Sequence, residues 1–226
     1  MTDSRLVVFD VDGTLVDSQA DILAAMARAF EGANLAPPDR AATLSIVGLS
    51  LPVAMARLAP GAPGRVDALV AGYKAAFAAL RAGGDPVARS PLYPGARACL
   101  ERLAAEPGTL LGIATGKSQR GLDHLLAQHG LRPFFRTLQV ADDHPSKPNP
   151  AMLEACLRET GVAPAQATIV GDTSYDMEMG CAASVRAIGV GWGYHSADLL
   201  RQAGAAHVID RFEALPDALC EALSLP

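Results

Sequence analysis

The order of apolar and polar positions changes character along the chain. It opens with Leu6-Val7-Val8-Phe9, four apolar residues in a row, rich in β-branched and aromatic types. Such a run predicts a strand buried on both faces, as strands of parallel sheets are. From Ser18 to about Ala82 the periodicity is helical instead. Ile22, Leu23, Met26 and Phe30 fall on one stripe, with Ser18 as N-cap and Gly32 at the left-handed position that ends the helix. Pro37-Pro38 marks a turn. Further helices are expected at about Ala54 to Leu58 and about Gly64 to Arg81, parted by Pro60-Gly61-Ala62-Pro63-Gly64. Gly83-Gly84-Asp85-Pro86 breaks the pattern again.

From about residue 90 onward strands and helices alternate. Helices are expected from Pro94-Gly95 to about Ala105, Ser118 to His129, Asn149-Pro150 to Gly161, Ser174 to Ala183, Ser196 to Ala203 and Phe212 to Leu223. Strands are expected at Leu110–Ala114, Thr137–Val140, Thr168–Gly171, Val185–Val190 and His207–Ile209. The alternation predicts an α/β fold, a Rossmann-like and mostly parallel sheet with helices on both faces. The first strand has the character of this later half, yet a long helical stretch separates it from the second. A connection of that length reads as an insertion rather than a loop. The expected organisation is a core of 1–16 and 89–226 and a helical cap of 17–88.

Composition narrows the partners. Half the residues are hydrophobic and few are aromatic, so the core is aliphatic. A net charge of -5, with no Lys/Arg cluster, argues against nucleic acid. Cys99, Cys156, Cys181 and Cys220 form no C-x-x-C pair and are expected to be reduced and buried. The first apolar run carries acids, unlike a signal peptide, and no apolar run has transmembrane length. The expectation is a cytoplasmic protein without membrane contact, monomer or homodimer.

The candidate chemistry sits at the strand exits. The first strand ends in Asp10, then Asp12, then a Gly13-Thr14 turn. Two carboxylates at the end of a buried strand are unfavourable unless a cation or hydrogen bonds compensate them. In an open α/β sheet, that edge is where ligands bind. Thr115 and Gly116 follow the second strand, Lys147 the third, and Asp172 the fourth, with Asp176 one helical turn beyond. Mg²⁺ takes oxygen ligands, which Asp10, Asp172 and the Asp12 carbonyl can supply. Thr115 and the Gly116 backbone can hold phosphate oxygens at a helix start. Lys147 can balance charge, and a carboxylate can be a nucleophile that forms an aspartyl phosphate.

Each residue also has an ordinary structural explanation. Asp12-Gly13 can be a plain turn, Asp172 and Thr115 helix caps, Lys147 a solvated lysine and Asp176 a complement to a helix dipole. Their joint order at successive strand exits is what those explanations leave unaccounted for. His144 is read as a solvated loop histidine, His195 and Trp192 as parts of a structural turn, and Met26, Met55 and Met179 as packing residues.

Asp10-Val11-Asp12-Gly13-Thr14, Thr115, Lys147 and Gly171-Asp172-Thr173 with Asp176 resemble the four motifs of the haloacid dehalogenase superfamily. Within it the chain is most similar to phosphatases of the phosphoglycolate phosphatase type, and Tyr93-Pro94-Gly95 fits as well. The resemblance implies Asp10 as nucleophile and Asp12 as general acid and base. It implies Mg²⁺ on Asp10, the Asp12 carbonyl and Asp172, with Asp176 acting through water, and phosphate held by Thr115, Gly116 and Lys147. The implied substrate is a small phosphorylated metabolite. Gly116 departs from the pattern, since many relatives carry Asn there. Val47-Gly48-Leu49 resembles the family's substrate loop, and Arg40, Arg57 and Arg65 are scattered through the helical segment. Two alternatives remain: a phosphomutase of the same superfamily, or a phospho-accepting regulatory module, which also uses an acidic pocket, Mg²⁺ and a lysine. A dehalogenase needs no metal and would leave Asp12, Asp172 and Asp176 without a joint purpose.

Overall fold

The computed structural model describes residues 4–83 and 86–224. Its centre is strand β1, Arg5–Phe9, in a sheet of six parallel strands. The others are β2 (Thr109–Thr115), β3 (Phe135–Val140), β4 (Ala167–Gly171), β5 (Arg186–Val190) and β6 (His207–Ile209). Their order is β3-β2-β1-β4-β5-β6. The chain moves outward in one direction through β2 and β3, then returns to β1's other side with β4. That reversal opens a crevice at the carboxyl ends of β1 and β4, where α/β folds bind ligands.

Residue alternation along β1 gives each face of the sheet its own core. Val7 and Phe9 join one apolar cluster, with Leu100, Leu122 and Leu219 from covering helices. Leu6 and Val8 join the other, with Met152, Cys156, Met177 and Ile169. The covering helices are α6 (Ala96–Ala105), α7 (Gln119–Gln128), α8 (Ala151–Thr160), α9 (Ser174–Ala182), α10 (Ala197–Gln202) and α11 (Leu215–Ser224). Among the described residues, no helix is long and apolar enough to cross a membrane.

Between β1 and β2 stand α1 (Gln19–Gly32), α2 (Arg40–Ser45), α3 (Leu51–Leu58), α4 (Val66–Ala82) and the short α5 (Pro86–Arg89). Helix α1 packs along α4. Met26, Phe30, Met55 and Leu69 make an apolar cluster of their own, joined by Tyr175 from α9. The chain enters and leaves this segment on adjacent paths, where Asp17 N donates to Pro91 O at 2.9 Å and Tyr93 N to Leu15 O at 3.0 Å.

Several local expectations need correcting. Ser18 does precede α1, but its hydroxyl makes no cap bond. Gly32 is still helical, and the left-handed residue is Asn34, with φ 54. Helix α2 carries too few residues to show periodicity, and Asp39 caps it by accepting from Ala42 N at 2.7 Å. Helix α8 begins one residue later than expected, at Ala151, after Pro150. Gly84 and Asp85 of the expected breaker lie outside the described residues. Cys99 and Cys156 are buried, whereas Cys181 and Cys220 are exposed.

Candidate active site

The turn after β1 is built to bring acids together. Val11 O accepts from Leu15 N at 2.9 Å and Val16 N at 3.1 Å, closing a tight loop. Gly13 holds φ +84, and a side chain there would collide with the Asp172 carboxylate. Glycine is what that combination of backbone and close approach requires. Asp172, at the exit of β4, accepts from Thr14 Oγ1 and from Tyr194 N, both at 2.9 Å.

Asp10, Asp172, Asp176 and Lys147 are all at most 1% exposed. Lys147 Nζ stands 3.0 Å from Asp10 Oδ1 and 2.6 Å from Asp176 Oδ1. The Asp10 contact is an ion pair without hydrogen-bond geometry, and neither oxygen of Asp10 accepts a hydrogen bond. Asp176 is better satisfied: its Oδ2 accepts from Thr173 N at 3.1 Å and Thr173 Oγ1 at 2.7 Å, a capping box for α9. The expected helix-start position of Asp176 therefore comes with a second duty, fastening Lys147.

Burial raises the Asp10 carboxyl to about 6, with Asp176 and Asp12 pushing the same way and Lys147 opposing. Asp172 is raised well above the carboxylate range, first by burial and then by the charges of Asp10 and Asp176. Burial works against the Lys147 ammonium, but Asp10 and Asp176 outweigh it and hold its pKa above the usual value. Ligand oxygens of Asp10, Asp172 and Asp176 lie within 4.8 Å of one another. With all three ionised, the form a bound cation would favour, three carboxylates against one ammonium carry two negative charges in excess, the charge of one divalent cation. The donors are all oxygens, which suits a hard cation such as Mg²⁺, and the unbonded oxygens of Asp10 are available to it.

Asp10 and Asp12, with Thr115 and Gly116, line a cavity of about 620 Å³ that extends to helices α1, α3 and α4. Lys117 Nζ donates to both Asp12 oxygens, each at 2.7 Å. Ser18 Oγ donates to Asp12 Oδ1, which explains the missing cap bond of α1. Thr115 Oγ1 accepts from Lys117 N at 3.3 Å, so this residue turns the chain that carries the lysine. The loop Val47-Gly48-Leu49 also lines the cavity. A Cβ on Gly116 would lie 2.6 Å from Gly48 O and 2.8 Å from Leu49 O. Any side chain at 116 would push this loop off the sheet edge.

The helical segment is fastened there by several bonds. Ser50 N donates to Ser146 Oγ at 2.9 Å, and Tyr175 O–H to Ser45 O at 2.8 Å. Arg57 donates to the Tyr175 hydroxyl at 2.9 Å.

All the residues singled out in the sequence, Asp10, Asp12, Thr115, Gly116, Lys147, Asp172 and Asp176, gather at one end of the sheet. Lys117, Ser18 and the Tyr194 backbone join them without having been expected. Lys117 had a faint signal, two residues beyond a strand exit. His195 is structural: its Nδ1 accepts from Ser174 N at 3.0 Å, and burial lowers its pKa. Trp192 Nε1 donates to Thr14 O at 3.2 Å, its ring against Phe212. His144 Nε2 pairs with Gln139 Oε1 at 2.7 Å. Met26 lines the cavity as well as packing beneath it.

This arrangement, oxygen donors at the switch point under a helical insertion, defines a class of α/β protein that comparison makes specific. A model of the haloacid dehalogenase-like hydrolases matches residues 7–190, and the chain belongs to that family. It is 34% identical over 224 residues to a Dickeya dadantii protein named "Probable phosphatase IndB", covering 97% of this chain and 95% of that one. It is 36% identical over 225 residues to a phosphoglycolate phosphatase of Rhodospirillum rubrum, covering 95% of this chain and 90% of the other. A hydrolase structure from Pseudomonas syringae superposes with TM-score 0.84 at 24% identity, covering 96% of this chain and 99% of that one, a likeness of fold.

Proposed function

We propose that the protein is a Mg²⁺-dependent phosphomonoesterase that works through an aspartyl phosphate, with 1–16 and 89–226 as catalytic core and 17–88 as cap. The observation that carries this reading is Asp10: a buried carboxylate with unbonded oxygens, opposite two more carboxylates and one fixed lysine. The relatives named phosphatases agree with it. Asp10, Asp172 and the Asp12 carbonyl would hold Mg²⁺, with Asp176 behind them. Bound there, the ion would offset charge on the carboxylates and on phosphate oxygens.

A carboxylate oxygen of Asp10 attacks phosphorus, forming an O–P bond as the bond to the leaving alcohol breaks. Asp12 gives the departing oxygen a proton. Water then attacks phosphorus and passes a proton to Asp12, the Asp10–phosphorus bond breaks, and inorganic phosphate leaves. Thr115, the Gly116 N–H and Lys147 steady the phosphoryl oxygens. The cap shuts out bulk water and surrounds the leaving group. A phospho-accepting regulatory module has no use for the cavity beside Asp12, and a mutase would return the phosphoryl group rather than release it. The substrate is a small phosphorylated metabolite, without nucleic-acid or membrane partners.

Asp10→Asn tests the reading. Phosphate release from p-nitrophenyl phosphate with Mg²⁺ should fall below about a hundredth of wild type while circular dichroism shows the fold retained. Chelation should abolish wild-type turnover, Mg²⁺ should restore it, and Ca²⁺ should do so poorly. A folded Asp10→Asn protein with near-normal activity would exclude the aspartyl phosphate.

A further inference from the structure

The cavity is larger and more apolar than the phosphate ester of a two-carbon acid needs. Beyond the carboxylate end, its walls include Ile22 and Met26 of α1, Leu49, Leu51 of α3, and Tyr73 and Phe77 of α4. The Tyr73 and Phe77 rings stand one helical turn apart, centroids 5.7 Å from each other and tilted by 35°. Cavities of this volume, apolar with a few convergent polar groups, enclose ligands much bigger than glycolate.

Positive charge in the cavity is poorly placed for a carboxylate on the leaving group. Lys117 is bound to both Asp12 oxygens, with its ammonium 5.6 Å from the centre of the Phe77 ring. Lys74, Arg120 and His124, the other basic side chains of the wall, are solvent-exposed. Arg40, Arg57 and Arg65 are not part of the lining. A second anion seated against Met26, Tyr73 and Phe77 would face aliphatic and aromatic surface, which is unfavourable without a partner.

We infer that the leaving alcohol carries an uncharged body about the size of a ring, packed on Tyr73, Phe77 and Met26, and that phosphorylated two-carbon acids are poor substrates. This rests on the phosphomonoesterase reading above. The test measures kcat/KM of the whole protein with Mg²⁺ on p-nitrophenyl phosphate, ethyl phosphate, 2-phosphoglycolate and 2-phenylethyl phosphate. The phenylethyl ester should exceed both ethyl phosphate and 2-phosphoglycolate, on the order of a hundredfold. Phe77→Ala should cut the phenylethyl-to-ethyl ratio roughly tenfold, and Tyr73→Ala gives an independent reading should the first variant fold poorly. Hydrolysis of p-nitrophenyl phosphate with the two alkyl esters equal, or with 2-phosphoglycolate preferred, would overturn the inference and leave the phosphatase reading intact. No hydrolysis of any ester would overturn both.

Discussion

Two lysines meet the two aspartates of the first turn, in opposite surroundings. Lys147 and Asp10 are almost fully buried, with side-chain exposures of 0% and 1%, though Asp10 also lines the cavity, and Asp176 holds the lysine from the far side. Lys117 and Asp12 border the cavity, at 9% and 13%. A buried ammonium between two carboxylates has no solvent to turn to, so its position is part of the fold. An ammonium at a cavity wall can exchange its partner for water or ligand. The ammonium beside Asp10 is therefore held in place by two carboxylates, while the one beside Asp12 has more freedom to exchange partners. This suits the proposed roles, since the nucleophile stays put and the acid and base must handle protons.

The most severe way to break the comparison is Lys147→Met. Removing one partner from a buried charge cluster leaves the others uncompensated, a loss of about 3–5 kcal/mol. Here Asp10, Asp172 and Asp176 would remain as a buried cluster without their ammonium. Urea denaturation without divalent metal should show that loss, and activity should disappear. A variant as stable as wild type would mean that the carboxylates are neutral or reached by water, and the contrast between the two lysines would fail.

Asp12→Ala is the next step. General acid–base help of this kind contributes roughly a hundred- to ten-thousand-fold. An alkoxide leaving group needs the acid, whereas p-nitrophenolate hardly does. The variant should lose far more activity on an alkyl phosphate. Given p-nitrophenyl phosphate, it should release a burst of phenol and stall as a phosphoenzyme, visible by rapid-quench mass spectrometry on Asp10. Equal losses on both substrates with no trapped phosphoenzyme would reduce Asp12 to a positioning role.

The unequal legibility of the two lysines in the sequence has a physical basis. Acids ending a buried strand contradict their surroundings, so Asp10 and Asp172 stand out residue by residue. Lys147 is found only through its order among the other strand exits. Lys117 follows Thr115-Gly116 and precedes an amphipathic helix, where a lysine is ordinarily solvated. Its partner is distant along the chain, and no local pattern encodes that meeting. Ser18 shows the same limit: its position at the start of α1 is legible, but its hydroxyl can serve either the helix backbone or Asp12, and tertiary structure decides. The strands themselves follow from apolar runs. The β3-β2-β1-β4-β5-β6 order does not, because periodicity carries no information on which strands become neighbours. The size of the cavity is equally hidden, since it depends on how closely the loop at Gly48 approaches Gly116.

Lys117→Met should have the smallest effect and the most informative one. Asp12 would keep the Ser18 hydroxyl and gain access to water through the cavity, so little uncompensated charge would remain. The stability loss should be smaller than that of Lys147→Met, because this pair borders the cavity and is less deeply buried. Activity should change through the placement of Asp12. Without the two bonds from Lys117 the carboxylate has a wider choice of rotamers, and a loosely placed acid gives up part of the general acid advantage. The loss should be roughly tenfold on an alkyl phosphate and smaller on p-nitrophenyl phosphate, where protonation matters little. It should appear in kcat more than in KM, since Lys117 is expected to position Asp12 rather than bind phosphate. Lys117→Arg should recover part of it by restoring a cation at the same wall. A stability loss matching that of Lys147→Met would show the two pairs to be equally fixed. A loss confined to KM would assign Lys117 to the substrate instead of Asp12.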